Sequence, residues 1–131
     1  MNFPSKLVET AVNHLSRLPG IGKKTALRLV LHMLKQEKIQ IQQFGESFIN
    51  LINNISYCKA CFSISDLELC EVCANPKRDT ETICIVEDIR VMIAIENTMQ
   101  FRGVYHILGG LISPMDGVGP TDIRVDELIN R

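Results

Sequence analysis

No run in the sequence stays apolar long enough to cross a bilayer. The longest uncharged stretch, Gly103 to Met115, has 13 residues and is broken by His106, two adjacent glycines and Pro114, against roughly 20 apolar residues for a span. A membrane-spanning protein is therefore not expected. The N-terminus lacks the apolar core and small-residue cleavage site of a secretory signal, and leads straight into an amphipathic pattern with Lys6, Glu9 and Arg17, so a cytoplasmic location is expected. There is no internal repeat and no low-complexity segment. With 131 residues, 46% hydrophobic and 22% charged, the chain is neither collagen-like nor disordered and is long enough for one domain or a few very small ones. His14, His32 and His106 are each isolated, without metal spacing to another ligand, and are read as structural or solvated. No Ser-His-Asp or Cys-His pairing can be argued, which leaves a hydrolase without support.

Excess charge is also missing: the net is -1. That figure hides a segregation along the chain. Residues 1–40 carry Lys6, Arg17, Lys23, Lys24, Arg28, Lys35 and Lys38 against Glu9 and Glu37, a net of +5. Residues 41–80 carry -2 and residues 81–131 carry -4. A polyanion should meet the N-terminal piece first.

That basic piece reads as two helices. Leu7, Val8, Ala11, Val12, Leu15 and Leu18 recur at helical spacing, as do Ala26, Leu27, Val30, Leu31 and Leu34, on either side of Pro19-Gly20-Ile21-Gly22. The glycines permit a tight turn and leave the amides at the start of the second helix uncovered, which makes an anion site. With Lys23, Lys24 and Arg28 beside it, the natural anion is a nucleic-acid phosphate, bound without reference to base sequence. The pattern resembles the helix-hairpin-helix motif of DNA-binding proteins. The alternative is a plain αα-hairpin whose lysines face water. A third helical face follows in Phe44, Phe48, Leu51, Ile52 and Ile55.

Cys58-x2-Cys61 and Cys70-x2-Cys73, eight residues apart, are two knuckles that together supply four soft ligands for a tetrahedral Zn2+. Two disulfides or a redox pair are the alternatives. With no open coordination position the zinc, one per chain, is structural, and it supplies folding free energy to a segment too poor in apolar residues for a core. Cys84, within the apolar run 83–86, reads as a buried inert thiol.

Beyond Pro76 the order becomes strand, helix, strand, loop, helix. Ile83–Val86 has buried-strand character, Asp88–Met99 reads as a helix with Val91, Met92 and Ile95 inward, and Val104–Leu108 as a second strand. Thr121 is placed to cap a closing helix through Leu128 and Ile129. The first strand ends in Glu87 and Asp88, at the edge where α/β sheets place their sites. Glu87 is expected in the site, for a cation or a basic partner, and Asp88 at the cap of the next helix, with capping by both as the alternative. The loop 109–120 leaves near the same edge and has no lysine or arginine.

The whole order resembles the RecR family of bacterial recombination mediators. It runs from the helix-hairpin-helix through the four-cysteine site with Arg78-Asp79 after it to Ile85-Val86-Glu87-Asp88, Ala94-Ile95-Glu96, Tyr105-His106-Ile107-Leu108-Gly109-Gly110 and Ser113 to Pro120. The resemblance implies an α+β protein in several parts: a helical helix-hairpin-helix domain over 1–56, a small four-cysteine zinc finger over 57–76 and an incomplete α/β Toprim-like domain over 80–131. It implies a role in DNA repair without catalysis: DNA binding, self-association to a dimer or ring, and work with the RecO and RecF proteins to load recombinase on gapped DNA. Position by position, Gly20, Gly22, Lys23, Lys24 and Arg28 match the family's DNA-contacting region. Cys58, Cys61, Cys70 and Cys73 match its zinc ligands, and Glu87 the Toprim glutamate. The family's chain is longer, and this one stops within the Toprim-like segment, so the expectation is either a raw sheet edge or a loosely held last third. A Toprim nuclease or topoisomerase would need an Asp-x-Asp pair beside Glu87 to hold magnesium, and no Asp-x-Asp occurs here.

Overall fold

Ser5 opens the first helix: in an extended conformation, its Oγ accepts from the Val8 amide at 3.3 Å, and α1 runs Lys6–Leu15. The structure, a computed structural model, describes residues 2–131 and divides them into two compact units, one ending at Leu51 and one beginning at Ile52. In the first unit α1 packs on α2 (Lys23–Leu34) around Val12, Ala26 and Val30, with Val8, Leu15, Ile21 and Leu27 closing the sides. Ala26 is fully buried; its small side chain lets the two helices approach closely. Helix α1 stops at Leu15, so Leu18 is not part of its buried face. It sits 52% exposed in the turn, and its carbonyl accepts from Ile21 at 3.2 Å.

Helix α3 (Lys38–Asn54) follows as expected but buries none of its residues. Phe44, Phe48, Leu51 and Ile52 stay exposed on it, with the Phe44 and Phe48 rings edge to face at 5.0 Å, while Ile55 falls beyond the end of the helix and so is not part of its face. Periodicity shows that residues share a face. It does not show what covers that face, and the α1–α2 core is closed without them.

The second unit begins with a two-residue antiparallel ribbon, β1 (Ser56–Tyr57) with β2 (Ile64–Ser65), and a single-turn α4 (Glu71–Ala74). Strand β3 (Asp79–Val86), helix α5 (Ile89–Glu96) and strand β4 (Gly103–Ile107) form a parallel crossover unit. The register pairs Ile83 with Val104 and Val86 with Ile107, after an irregularity between Asp79 and Ile83. Gly103 is required by packing: a Cβ there would collide with the Thr82 carbonyl and the Phe101 ring. Val86, Met92, Tyr105 and Ile107 form the core, joined by Val72 of α4. Val72 also packs against the cysteine cluster, and the Ile107 amide donates to the Cys61 carbonyl at 2.9 Å. The cysteine segment and the strand-helix-strand segment thus share one unit.

Several local expectations are corrected. Only one face of β3 is covered: Val86 is buried and Cys84 half-buried, while Ile83 and Ile85 on the other face are exposed. An uninterrupted apolar run cannot say that a second layer is present. Val91 is exposed, since Ile89, Met92 and Ile95 occupy the inward arc of this two-turn helix. Thr121 caps nothing, because turns fill 121–124 and α6 starts only at Val125, ending at Ile129, with Arg124 as its N-cap. The last third is tied in: Ile123 is buried, the Arg124 amide donates to Leu108 O at 2.9 Å, and the Arg124 guanidinium stacks over the rings of Tyr57 and Phe62. No helix among the described residues is long and apolar enough to cross a membrane.

Candidate metal centre and nucleic-acid interface

The first knuckle is made by tight backbone turns. Cys58 donates to the Ser63 carbonyl at 2.7 Å, and Phe62 donates back to the Cys58 carbonyl at 2.9 Å with a left-handed φ of 66°. The second is a helix start: Cys70 is the N-cap of α4 and its Sγ accepts from the Cys73 amide at 3.5 Å. The four sulfurs come within 4.8 Å of one another, with Cys61 and Cys70 Sγ 3.6 Å apart. Tetrahedral zinc with Zn–S bonds of about 2.3 Å separates its sulfurs by about 3.8 Å, so the cluster fits. A disulfide needs about 2.05 Å, and all five cysteines are free thiols.

The thiols are electrostatically frustrated by one another. Burial works against ionising Cys58, but the N–H groups of Cys61, Cys70 and Ala60 outweigh it and bring the thiol down to about 6. The Cys61 thiol is pushed up by its hydrogen bond to Cys73 and by burial, and Cys70 is pushed up by burial first. Each thiolate formed makes the next harder to form. A divalent cation removes that conflict and allows all four to ionise. Backbone donors prepare for it: Ser63 N–H reaches Cys61 Sγ at 3.4 Å.

In the other unit the structure brings Gly20, Gly22, Lys23, Lys24 and Arg28 together at the α1–α2 turn. Gly20 has φ 81°, the left-handed region that favours glycine. Gly22 does not need that freedom. It is the extended N-cap of α2, makes no side-chain cap, and a Cβ on it would meet nothing within 4 Å. Gly22 therefore puts no side chain over the first α2 amides. Lys24 and Arg28 are exposed, whereas Lys23 turns back to Asn13 of α1, its Nζ donating to Oδ1 at 2.8 Å.

Glu87 lies exposed at the C-terminal end of β3, its carbonyl accepting from Gly109 at 2.8 Å, so the 109–120 loop does leave beside it. Asp88 is the N-cap of α5: Oδ1 accepts from the Arg90 amide at 2.9 Å and Oδ2 from its guanidinium at 2.7 Å. The Arg90 hydrogen bond holds the Asp88 carboxyl below its ordinary value. Among the described residues, the four cysteines alone form a cluster with metal-ligand geometry.

The sequence reading did not foresee that Arg78 and Glu96 meet. Arg78 forms a two-pronged ion pair with Glu96, one prong at 2.9 Å, and also donates to the carbonyls of Phe101 and Gly103. The Tyr105 hydroxyl donates to Glu96 Oε1 at 2.7 Å. The guanidinium holds the Glu96 carboxyl down, and burial pushes the Tyr105 phenol up. Arg78 and Glu96 each belong to a short motif, but they stand 18 positions apart, and nothing in a single sequence signals such a pair. His106 is fully buried, its Nε2 2.8 Å from Arg124 O and its ring edge to face with Phe62.

Three family models match in the same order: the RecR helix-hairpin-helix at residues 8–51, the RecR four-cysteine zinc finger domain at 55–75 and the Toprim domain at 81–130. Curated relatives named Recombination protein RecR match almost all of the chain. The one from Bacteroides thetaiotaomicron is 55% identical over 129 residues, 98% of this chain and 63% of its own. That from Cytophaga hutchinsonii is 56% identical over 131 residues, 100% of this chain and 64% of its own. That from Flavobacterium johnsoniae is 53% identical over the same span. The chain thus spans under two thirds of the length of these relatives. The cysteine cluster is the site of one structural Zn2+, held by Cys58, Cys61, Cys70 and Cys73, which stabilises the fold and leaves no position open for chemistry. Its motifs, their order and this likeness place the chain in the RecR family of recombination proteins.

Proposed function

We propose that the chain belongs to a DNA-binding recombination mediator of DNA repair that performs no catalysis itself and acts with RecO and RecF proteins to load recombinase on gapped DNA. The observation that carries the reading is the start of α2, which Gly22 leaves without a side-chain cap, within the one strongly basic piece of the chain. Amides at a helix start with cations beside them neutralise on the order of two or three phosphates, and base identity plays no part. One hairpin binds weakly, so an oligomer that presents several to one DNA gains affinity through intramolecular contacts. The bare apolar face of α3 supports self-association. Glu87 and Asp88 remain candidates for contact with a cation or a basic partner such as RecO, with Asp88 contributing mainly through the helix start it caps.

The test is the triple change of Lys23, Lys24 and Arg28 to alanine. Binding to all DNA sequences weakens alike, and the salt dependence flattens by roughly one log unit per lost phosphate contact. Undiminished binding with the same salt slope places the DNA surface elsewhere. Cleavage of plasmid DNA with magnesium or manganese, lost in Glu87→Gln, overturns the non-catalytic reading.

A further inference from the structure

We infer that the phosphate-binding surface continues along α2 beyond the hairpin, through His32 and Lys35, and that His32 makes its grip on DNA tighten as pH falls. The inference rests on the DNA-binding reading above and adds residues and a regulation to it. Lys24, Leu27, Arg28, Leu31, His32 and Lys35 line one shallow groove on the exposed side of α2. At 100° per residue the four basic groups fall within about 80° of arc, and at 1.5 Å per residue they extend over about 16 Å. A B-form strand carries one phosphate per about 3.4 Å of axis, so the stripe faces on the order of four or five phosphates. Lys23 lies about 100° off the stripe, consistent with its bond to Asn13. The cationic surface therefore runs down the helix and does not stop at its first turn.

His32 is the variable member. Its Nε2 lies 3.3 Å from the Gln36 side-chain nitrogen. A protonated ring adds a charge among Lys24, Arg28 and Lys35, which line the same groove. These three are the charged groups facing it. Helix α1, which packs on α2 through Val12, Ala26 and Val30, sends no residue into the groove, and no described acidic residue lines it. Beside a phosphate such an added charge is favoured. Proton uptake and DNA binding are then linked.

The experiment is fluorescence anisotropy of the full chain with a labelled mixed-sequence single-stranded oligonucleotide, titrated across a salt series at pH 8.0 and pH 6.0. The expected result is a log–log salt slope steeper by about 0.7 at pH 6.0, one further phosphate contact on single strands. His32→Gln abolishes that difference, Lys35→Ala lowers the slope at both pH values, and His14→Gln, off the stripe, keeps the difference. A parent slope that is the same at both pH values, or a pH difference that survives His32→Gln, overturns the role of His32. Binding indifferent to Lys35→Ala overturns the extended stripe, while the triple hairpin variant still reports on the hairpin. A parent that binds no DNA at either pH overturns the DNA reading and this inference with it.

Discussion

Single residues carry opposite instructions at the two hairpin glycines. Gly20 is fixed by its backbone: φ 81° penalises any Cβ by roughly 1–2 kcal/mol, so Gly20→Ala lowers the melting temperature of the helical unit. Gly22 is fixed by nothing inside the chain. Serine is a better N-cap than a residue without a side-chain acceptor, so Gly22→Ser is expected to leave the melting temperature unchanged or raise it. Its hydroxyl would occupy the amides that a phosphate needs, and DNA affinity should drop several-fold in anisotropy titrations. Unchanged affinity would mean that the α2 amides are not the anion site. The second residue-scale case is Glu96. Its carboxyl is held below the ordinary 4.5 by Arg78, so the folded state binds its proton less readily than the unfolded one. The contribution is complete above about 4.5 and lost as pH falls through the lower folded value. Melting curves of the parent should fall steeply below pH 4.5. Glu96→Gln should be roughly 2–3 kcal/mol less stable at pH 7, because it leaves the Arg78 charge sparsely compensated, and should show a flatter acid limb. Equal acid limbs would remove the pair from the stability of this unit.

Whole elements were more legible than their surroundings. The α1–turn–α2 hairpin and both knuckles follow from residue types at fixed short spacings, and so does Asp88 as the cap of α5, because each is a local interaction that a sequence window contains. Helix α3 and strand β3 were legible as elements but not as buried ones. Their apolar residues signal a face that requires cover, and the cover is a tertiary matter. The same holds for the closing helix, where Thr121 looked like a cap but a turn through 121–124 intervenes. The exposed face of α3 makes a prediction of its own. Phe44 and Phe48, 50% and 53% exposed, contribute little to the stability of the folded chain but form an apolar pair that a second copy can cover. Phe44→Ser with Phe48→Ser should leave the circular-dichroism melting curve within a few degrees of the parent. It should shift the mass measured by sedimentation at high concentration toward the monomer. Self-association equal to the parent's would mean that α3 is not the contact.

At the scale of the whole molecule the zinc site is where the sequence reading and the structure divide the chain differently. Two C-x2-C knuckles in a segment without a core suggest a self-contained finger. In the structure the first knuckle is tied to the end of β4 by the Ile107-to-Cys61 hydrogen bond. Val72 belongs to both the cysteine cluster and the strand core. Phe62, adjacent to a ligand, carries the stack with Arg124 that holds the last segment. Metal loss should therefore not stop at residues 57–76. Four thiols that cannot ionise together lose their arrangement once the cation is gone, because metal binding and folding are the same free energy in such segments. The first knuckle then ceases to support β4. Hydrogen exchange after chelation should show lost protection at Ile107, Leu108 and Arg124 as well as at Cys58 and Phe62, while the Ala26 and Val30 amides of α2 keep theirs. Cys58→Ser with Cys61→Ser should reproduce the pattern without a chelator. Protection that is lost only within 57–76 would make the finger an independent module, and loss throughout α2 would make the two units one cooperative body.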